Sequence, residues 1–207
     1  MFQKNNILCV DALVYNSDQP FDGISESLAL NCYRYFHLRE LINNAFVCHK
    51  YCINESTLAI LTLEHLSKSE RNKYKTIIIE RSSIIKIKQT TDSVSTIIKR
   101  SKLVATKKME KDELERYKML NEKLKKAKRK AQNLPKIIKP DLYMIPSTSK
   151  SREHDWLVVP NIAQIEQAGE ESTLIYFTGM DVILHLPIKS KLIEKRYNKG
   201  KQLLMSD

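Results

Sequence analysis

Glycine is scarce, with four residues in 207. No loop has the glycines that let backbone amides close around a phosphate, and there is no Walker motif, Rossmann fingerprint or nucleophile elbow. A paired Cys-x-x-Cys zinc signature is absent, and so is an internal repeat of solenoid period. No apolar run approaches the ~20 residues of a membrane-spanning helix. Asp11 interrupts the only early apolar stretch, which argues against a signal peptide, and the Arg-poor start argues against a mitochondrial presequence. The expected compartment is therefore reducing. The four cysteines, Cys9, Cys32, Cys48 and Cys52, are not expected to form a disulfide framework there. These absences remove glycine-loop nucleotide binding, acyl transfer by a nucleophile elbow and membrane insertion from the functions to be considered.

Positive charge is abundant. The formal net charge is +11, from 35 basic and 24 acidic residues. Residues 1–100 hold 13 basic and 10 acidic groups; the remainder holds 22 and 14. The excess lies in the second half, where it would attract nucleic acid, anionic membrane or acidic protein by the same Coulomb term.

The most charged stretch, 92–134, reads as one long helix. Asp92 suits an N-cap, Val94, Ile97, Ile98, Val104 and Ala105 share a face, and Pro135 stops the run. Tyr117, Leu120, Leu124, Ala127, Ala131 and Leu134 step by three and four, a short coiled-coil-like seam. Tyr117, Leu120, Leu124 and Leu134 are accordingly the candidate contacts for a partner helix. Lys123, Lys125, Lys126, Lys128, Arg129 and Lys130 make the basic end. The plain reading of that end is a solvated face without a ligand. The sharper reading is a phosphate contact, with the density of a nuclear-localisation cluster. A second cluster, Lys191, Lys195, Arg196 and Lys199 among others, lies on a helix predicted from Ser190 to Lys199 with Gly200 as its stop.

Helices are also predicted from Ile24 to Phe46 and from Asn54 to Leu66. In the second, Asn54 is the cap and Ile53 staples onto Leu58. The pair Leu41–Cys52 and Asn54–Ser67 resembles a helix pair of the cyclin box. Strands are expected at Ile7–Val14, Trp156–Val159 and in two hairpins, Thr76–Ile79 with Ile84–Lys88 and Thr173–Thr178 with Asp181–Leu186. Ile162–Ala168 reads as a single helical turn, and His185 as a surface residue.

Two metal readings are weighed and set aside. Cys32, His37, Cys48 and Cys52 are the right residue types for zinc, but their spacing is not that of a finger or ribbon, and buried free cysteine is common. Asp11 with Asp18, Asp22 and Asp181 would suit magnesium only if they converged, and nothing in their spacing brings them together.

The expected fold is α+β: a small, largely antiparallel sheet, two packed helices and a long protruding charged helix. The expected parts are 1–91, the N-terminal part of the core; 92–134, the arm; 135–155, a linker; and 156–207, which completes the core. The expected function is a non-catalytic nuclear protein that contacts nucleic acid, DNA or RNA, through its basic helices within a larger complex. The alternative is a protein-interaction subunit docking a hetero-oligomeric partner through the seam 117–134. No cofactor and no membrane partner are expected.

Overall fold

The structure, a computed structural model, describes residues 5–9, 32–36, 45–63, 74–82, 86–128, 133–147, 155–180, 182–186 and 188–205. Two sheets dominate it. A mixed seven-stranded sheet runs in the order β3 (Phe46–Val47), β6 (Lys86–Thr90), β5 (Thr76–Glu80), β4 (Thr57–Thr62), β9 (Trp156–Val158), β8 (Leu142–Pro146), β7 (Lys136–Lys139). The second sheet has the order β10 (Ile162–Gln167), β11 (Thr173–Phe177), β12 (Val182–Leu186), β1 (Asn5–Cys9), β2 (Cys32–Phe36). Three helices complete the described residues: α1 (Val94–Lys108), α2 (Lys111–Lys128) and α3 (Ser190–Met205).

The large sheet is covered on both faces, and its side chains divide by the period of two that a strand imposes. Ile60, Ile78, Leu142, Met144, Trp156 and Val158 join one core with Val94, Ile97 and Ile98 of α1. Leu61, Ile77, Ile79, Tyr143, Ile145 and Leu157 face the other core. There they meet Leu120 and Leu124 of α2, Ile193 and Leu204 of α3, and Ile162, Ile175, Phe177, Leu184 and Leu186 of the second sheet. Burial on both faces explains the unbroken apolar runs of β4 and β5.

The expectation of a small sheet with two packed helices is therefore corrected. The stretch 54–66 holds β4, all six residues of which are buried. Asn54 forms a turn instead of a helix cap: its Oδ1 accepts from Ser56 N at 2.9 Å, and its carbonyl accepts from Thr57 N. The described part of 24–46 contains β2, and the resemblance to a cyclin-box helix pair fails at β3 and β4. Ile162–Gln167 is a strand and not a helical turn. The linker stretch holds β7 and β8, which add to the sheet. Both predicted hairpins are present, as β5–β6 and β11–β12. Gly179 takes φ +68° in the second, a conformation glycine adopts without the Cβ penalty.

The long protruding helix is corrected too. It breaks at Met109, whose backbone is extended, and Glu110 O accepts from Leu114 N to start α2. α1 is capped by Ser93, whose Oγ accepts from Thr96 N, while the carboxylate of Asp92 holds Arg100 at 2.6 Å. Both helices touch the edge strand β7, but their apolar stripes belong to opposite faces of the sheet. The break is what lets the chain round that edge and bury both stripes. α2 lies along the body, with Leu120 and Leu124 in the core.

Polar pins fix this arrangement. Tyr51 donates to Glu80 Oε1 at 2.6 Å and lies 2.6 Å from Thr57 Oγ1; Lys88 pairs with the other oxygen of Glu80, also at 2.6 Å. Burial first, then the bond to Glu80, raises the phenol pKa well above its ordinary value. Asn161 donates to the carbonyls of Thr57 and Glu55 and accepts from Arg81, tying β4 to the turn before β10.

His185 departs from the surface reading. It does face away from Leu184 and Leu186, but it is half-buried, and desolvation lowers its pKa. The unfolded imidazole takes up its proton near pH 6.5, and the folded one does so only at lower pH. Folding stability should therefore fall as pH drops below about 6.5. Urea midpoints at pH 7 and pH 5 should draw closer together in His185→Gln than in the wild type.

Candidate nucleic-acid interface

Helix α2 buries Leu120 and Leu124, with Tyr117 and Ala127 partly covered, against the core that also holds Ile193 and Leu204 of α3. The two helices touch each other on that side of the large sheet. Their outward faces carry Lys125 and Lys126 from α2 and Lys191 and Lys195 from α3, all exposed and none in an ion pair among the described residues. Lys123 is exposed and Lys199 half-exposed beside them. Lys191, Lys195 and Lys199 recur every four residues, so they line one side of α3. The side chains of Lys128, Arg129 and Lys130 lie outside the described residues.

Arg196 does not belong to this face. It is 6% exposed and donates from a guanidinium nitrogen to the carbonyl of Pro146 at 2.8 Å. Burial lowers its pKa. Ile193, Arg196, Gly200 and Leu204 step by three, four and four along the buried side of α3, so Arg196 is a structural tie to the end of β8. Gly200 is not a helix stop: α3 runs on to Met205. A Cβ at Gly200 would sit 3.4 Å from Ile145 Cγ2, about an ordinary van der Waals distance, so the buried side of α3 runs close to β8 there.

The partner seam is likewise placed inward. Leu120, Leu124 and Leu134 sit in the chain's own core, and Tyr117 packs beside them.

A further basic surface, not among the sequence-predicted clusters, lies on α1. α1 has five basic residues and no acid, because no carboxylate occurs between Asp92 and Glu110. Lys99, Leu103 and Lys107 are exposed, with Lys102 and Thr106 half-buried between them, on one helical stripe. The clue was this acid-free interval, hidden when 92–134 is read as one unit. α1 lies across the large sheet from α2 and α3.

Among the described residues no group of three His, Cys, Asp or Glu side chains could hold a metal ion. Cys48 and Cys52 are free and half-buried, while the side chains of Cys32 and His37 and residues Asp11, Asp18, Asp22 and Asp181 lie outside the described set. No helix among the described residues is long and apolar enough to cross a membrane.

The family model described as ComK protein matches residues 48–206. This chain belongs to the ComK family. The match begins one residue after β3 and takes in most of the large sheet, all three helices and β10–β12. ComK proteins are bacterial competence transcription factors that bind DNA. None of the curated proteins and none of the solved structures matches the chain.

The family overturns two expectations. A bacterial regulator has no nucleus to enter, so the basic run 125–130 is no import signal and the nuclear localisation falls. The role of subunit in a nuclear complex falls with it. Neither the coiled coil nor the hetero-oligomeric partner has support in ComK membership. What stands is the coarser statement that the family regulates transcription by binding DNA.

Proposed function

We propose that this chain is a non-catalytic transcription regulator that holds duplex DNA against α2 and α3, with Lys123, Lys125, Lys126, Lys191, Lys195 and Lys199 on backbone phosphates. Arg196 is excluded from that set by its burial. The observation that carries the proposal is the match of residues 48–206 to a family of DNA-binding transcription factors. The exposed lysines on two touching helices supply a surface of the right sign. Each lysine placed on a phosphate releases a condensed counterion, so affinity should fall steeply with salt. Six such contacts predict that log affinity falls with log salt at a slope of about −5. Fluorescence anisotropy of a labelled duplex between 50 and 300 mM salt measures it, and a flat response would overturn the reading.

The acid-free helix favours a second reading, in which the α1 stripe of Lys99, Lys102 and Lys107 makes the phosphate contacts. The two surfaces lie on opposite sides of the large sheet, so substitutions on one leave the other intact and separate the readings.

A further inference from the structure

A cavity of about 380 Å³ opens between α2, α3, the β7–β8 turn and the turn that leads into β10. We propose that it binds a small planar organic anion, an aromatic ring bearing one carboxylate or phosphate. Its volume falls in the range of small-ligand sites, and like them it sets apolar walls beside converging polar groups. Val159, Pro160, Ile162 and Leu204 supply the walls. Arg116 from α2 and Lys201 from α3 bring two cations from independently held elements, against one carboxylate, Asp141. Arg116 meets Asp141 at 3.4 Å, with both side chains more than half exposed, a weak pair that leaves guanidinium donors for a ligand.

The aromatic part of the ligand also has its counterpart. Tyr197 and Tyr143 both line the cavity, and the ammonium of Lys201 stands 4.5 Å from the centre of the Tyr197 ring. Tyr143 is 6% exposed, and among the described residues no protein group hydrogen-bonds its hydroxyl. Burial, and then the neighbouring phenol of Tyr197, pushes its pKa up to about 12. It therefore keeps its proton and can donate it to an anionic oxygen. Loose packing of α3 does not account for the opening. The buried Arg196 guanidinium ties the helix to the carbonyl of Pro146 at the end of β8, and Tyr197, Lys201 and Leu204 line the cavity on one side of the same turns.

An anion held by Arg116 and Lys201 would bridge the two helices to which DNA contact is assigned above. If that reading holds, occupancy changes DNA affinity; binding of the anion itself does not depend on it. Calorimetric titration of the full chain with phenyl phosphate, with 4-hydroxybenzoate and inorganic phosphate alongside, tests the site. One saturable site is expected, with phenyl phosphate at least about tenfold tighter than inorganic phosphate. Tyr143→Phe and Lys201→Gln should each weaken it about fivefold or more, with thermal unfolding unchanged. Binding equal to that of inorganic phosphate, binding indifferent to both variants, or no binding of either aromatic anion would overturn the proposal. A DNA titration with and without saturating phenyl phosphate reads the coupling separately, so failure of the DNA reading leaves the calorimetric result intact.

Discussion

Leu120→Ala should lower the unfolding free energy by about 2–4 kcal/mol, the range for truncating a leucine in a packed core. Leu120 is 4% exposed and Leu124 9%, and both belong to the cluster that contains Ile137, Tyr143 and Ile145 of the large sheet. An arm standing off the body would lose no more than about 0.5 kcal/mol from the same change, as exposed positions do. Met119 provides the control within the helix, because it is 57% exposed. Met119→Ala should cost less than about 0.5 kcal/mol. Urea unfolding of the three proteins measures the contrast. Equal small losses at positions 119 and 120 would mean that α2 is not docked.

Arg196→Ala should be the most damaging change among the basic residues of α3. The guanidinium is buried and donates to the carbonyl of Pro146. Removing it deletes a charge-assisted bond and leaves that acceptor without this donor, a loss of about 2–4 kcal/mol. Its neighbour Lys195 is exposed, and Lys195→Ala should change stability by less than about 0.5 kcal/mol. Binding should invert the order: Lys195→Ala lowers the salt dependence of DNA affinity by about one phosphate contact, and Arg196→Ala, in its folded fraction, does not. A drop in salt slope in the Arg196 variant at full stability would return Arg196 to the interface.

The parts of the fold legible in the sequence were those with local signals. Thr173–Phe177 and Val182–Leu186 alternate about a turn containing Gly179, and they pair as expected. β4 is hidden in the sequence because its two signals point elsewhere. Asn54 accepts from Ser56 N in a turn, and a turn of that kind looks in sequence like the start of a helix. Ile60 and Leu61 then bury against opposite cores, so the strand shows no alternation of polar and apolar residues to betray it. The break at Met109 has neither proline nor glycine to announce it; it is set by the edge of the sheet the chain must round, a tertiary fact.

The candidate interface was half legible. Runs of lysine can be read directly, and exposed Lys125, Lys126, Lys191 and Lys195 lie where helical spacing put them. The inward position of Arg196 was also written in the sequence, in its spacing from Ile193, Gly200 and Leu204, but a basic residue in a basic cluster invites the wrong reading. The seam Tyr117–Leu134 had the right apolar period and the wrong occupant: the chain's own sheet fills it.

The proposed function turns on which side of the large sheet meets DNA. Two variants of the full chain decide it, Lys125→Ala/Lys126→Ala/Lys191→Ala/Lys195→Ala and Lys99→Ala/Lys107→Ala, each titrated with the same duplex from 50 to 300 mM salt. Contact through α2 and α3 predicts that the fourfold variant loses about 3 to 4 from the steepness of the log–log slope while the α1 variant keeps the wild-type value. An unchanged slope in the fourfold variant, with the loss appearing in the α1 variant instead, would contradict it.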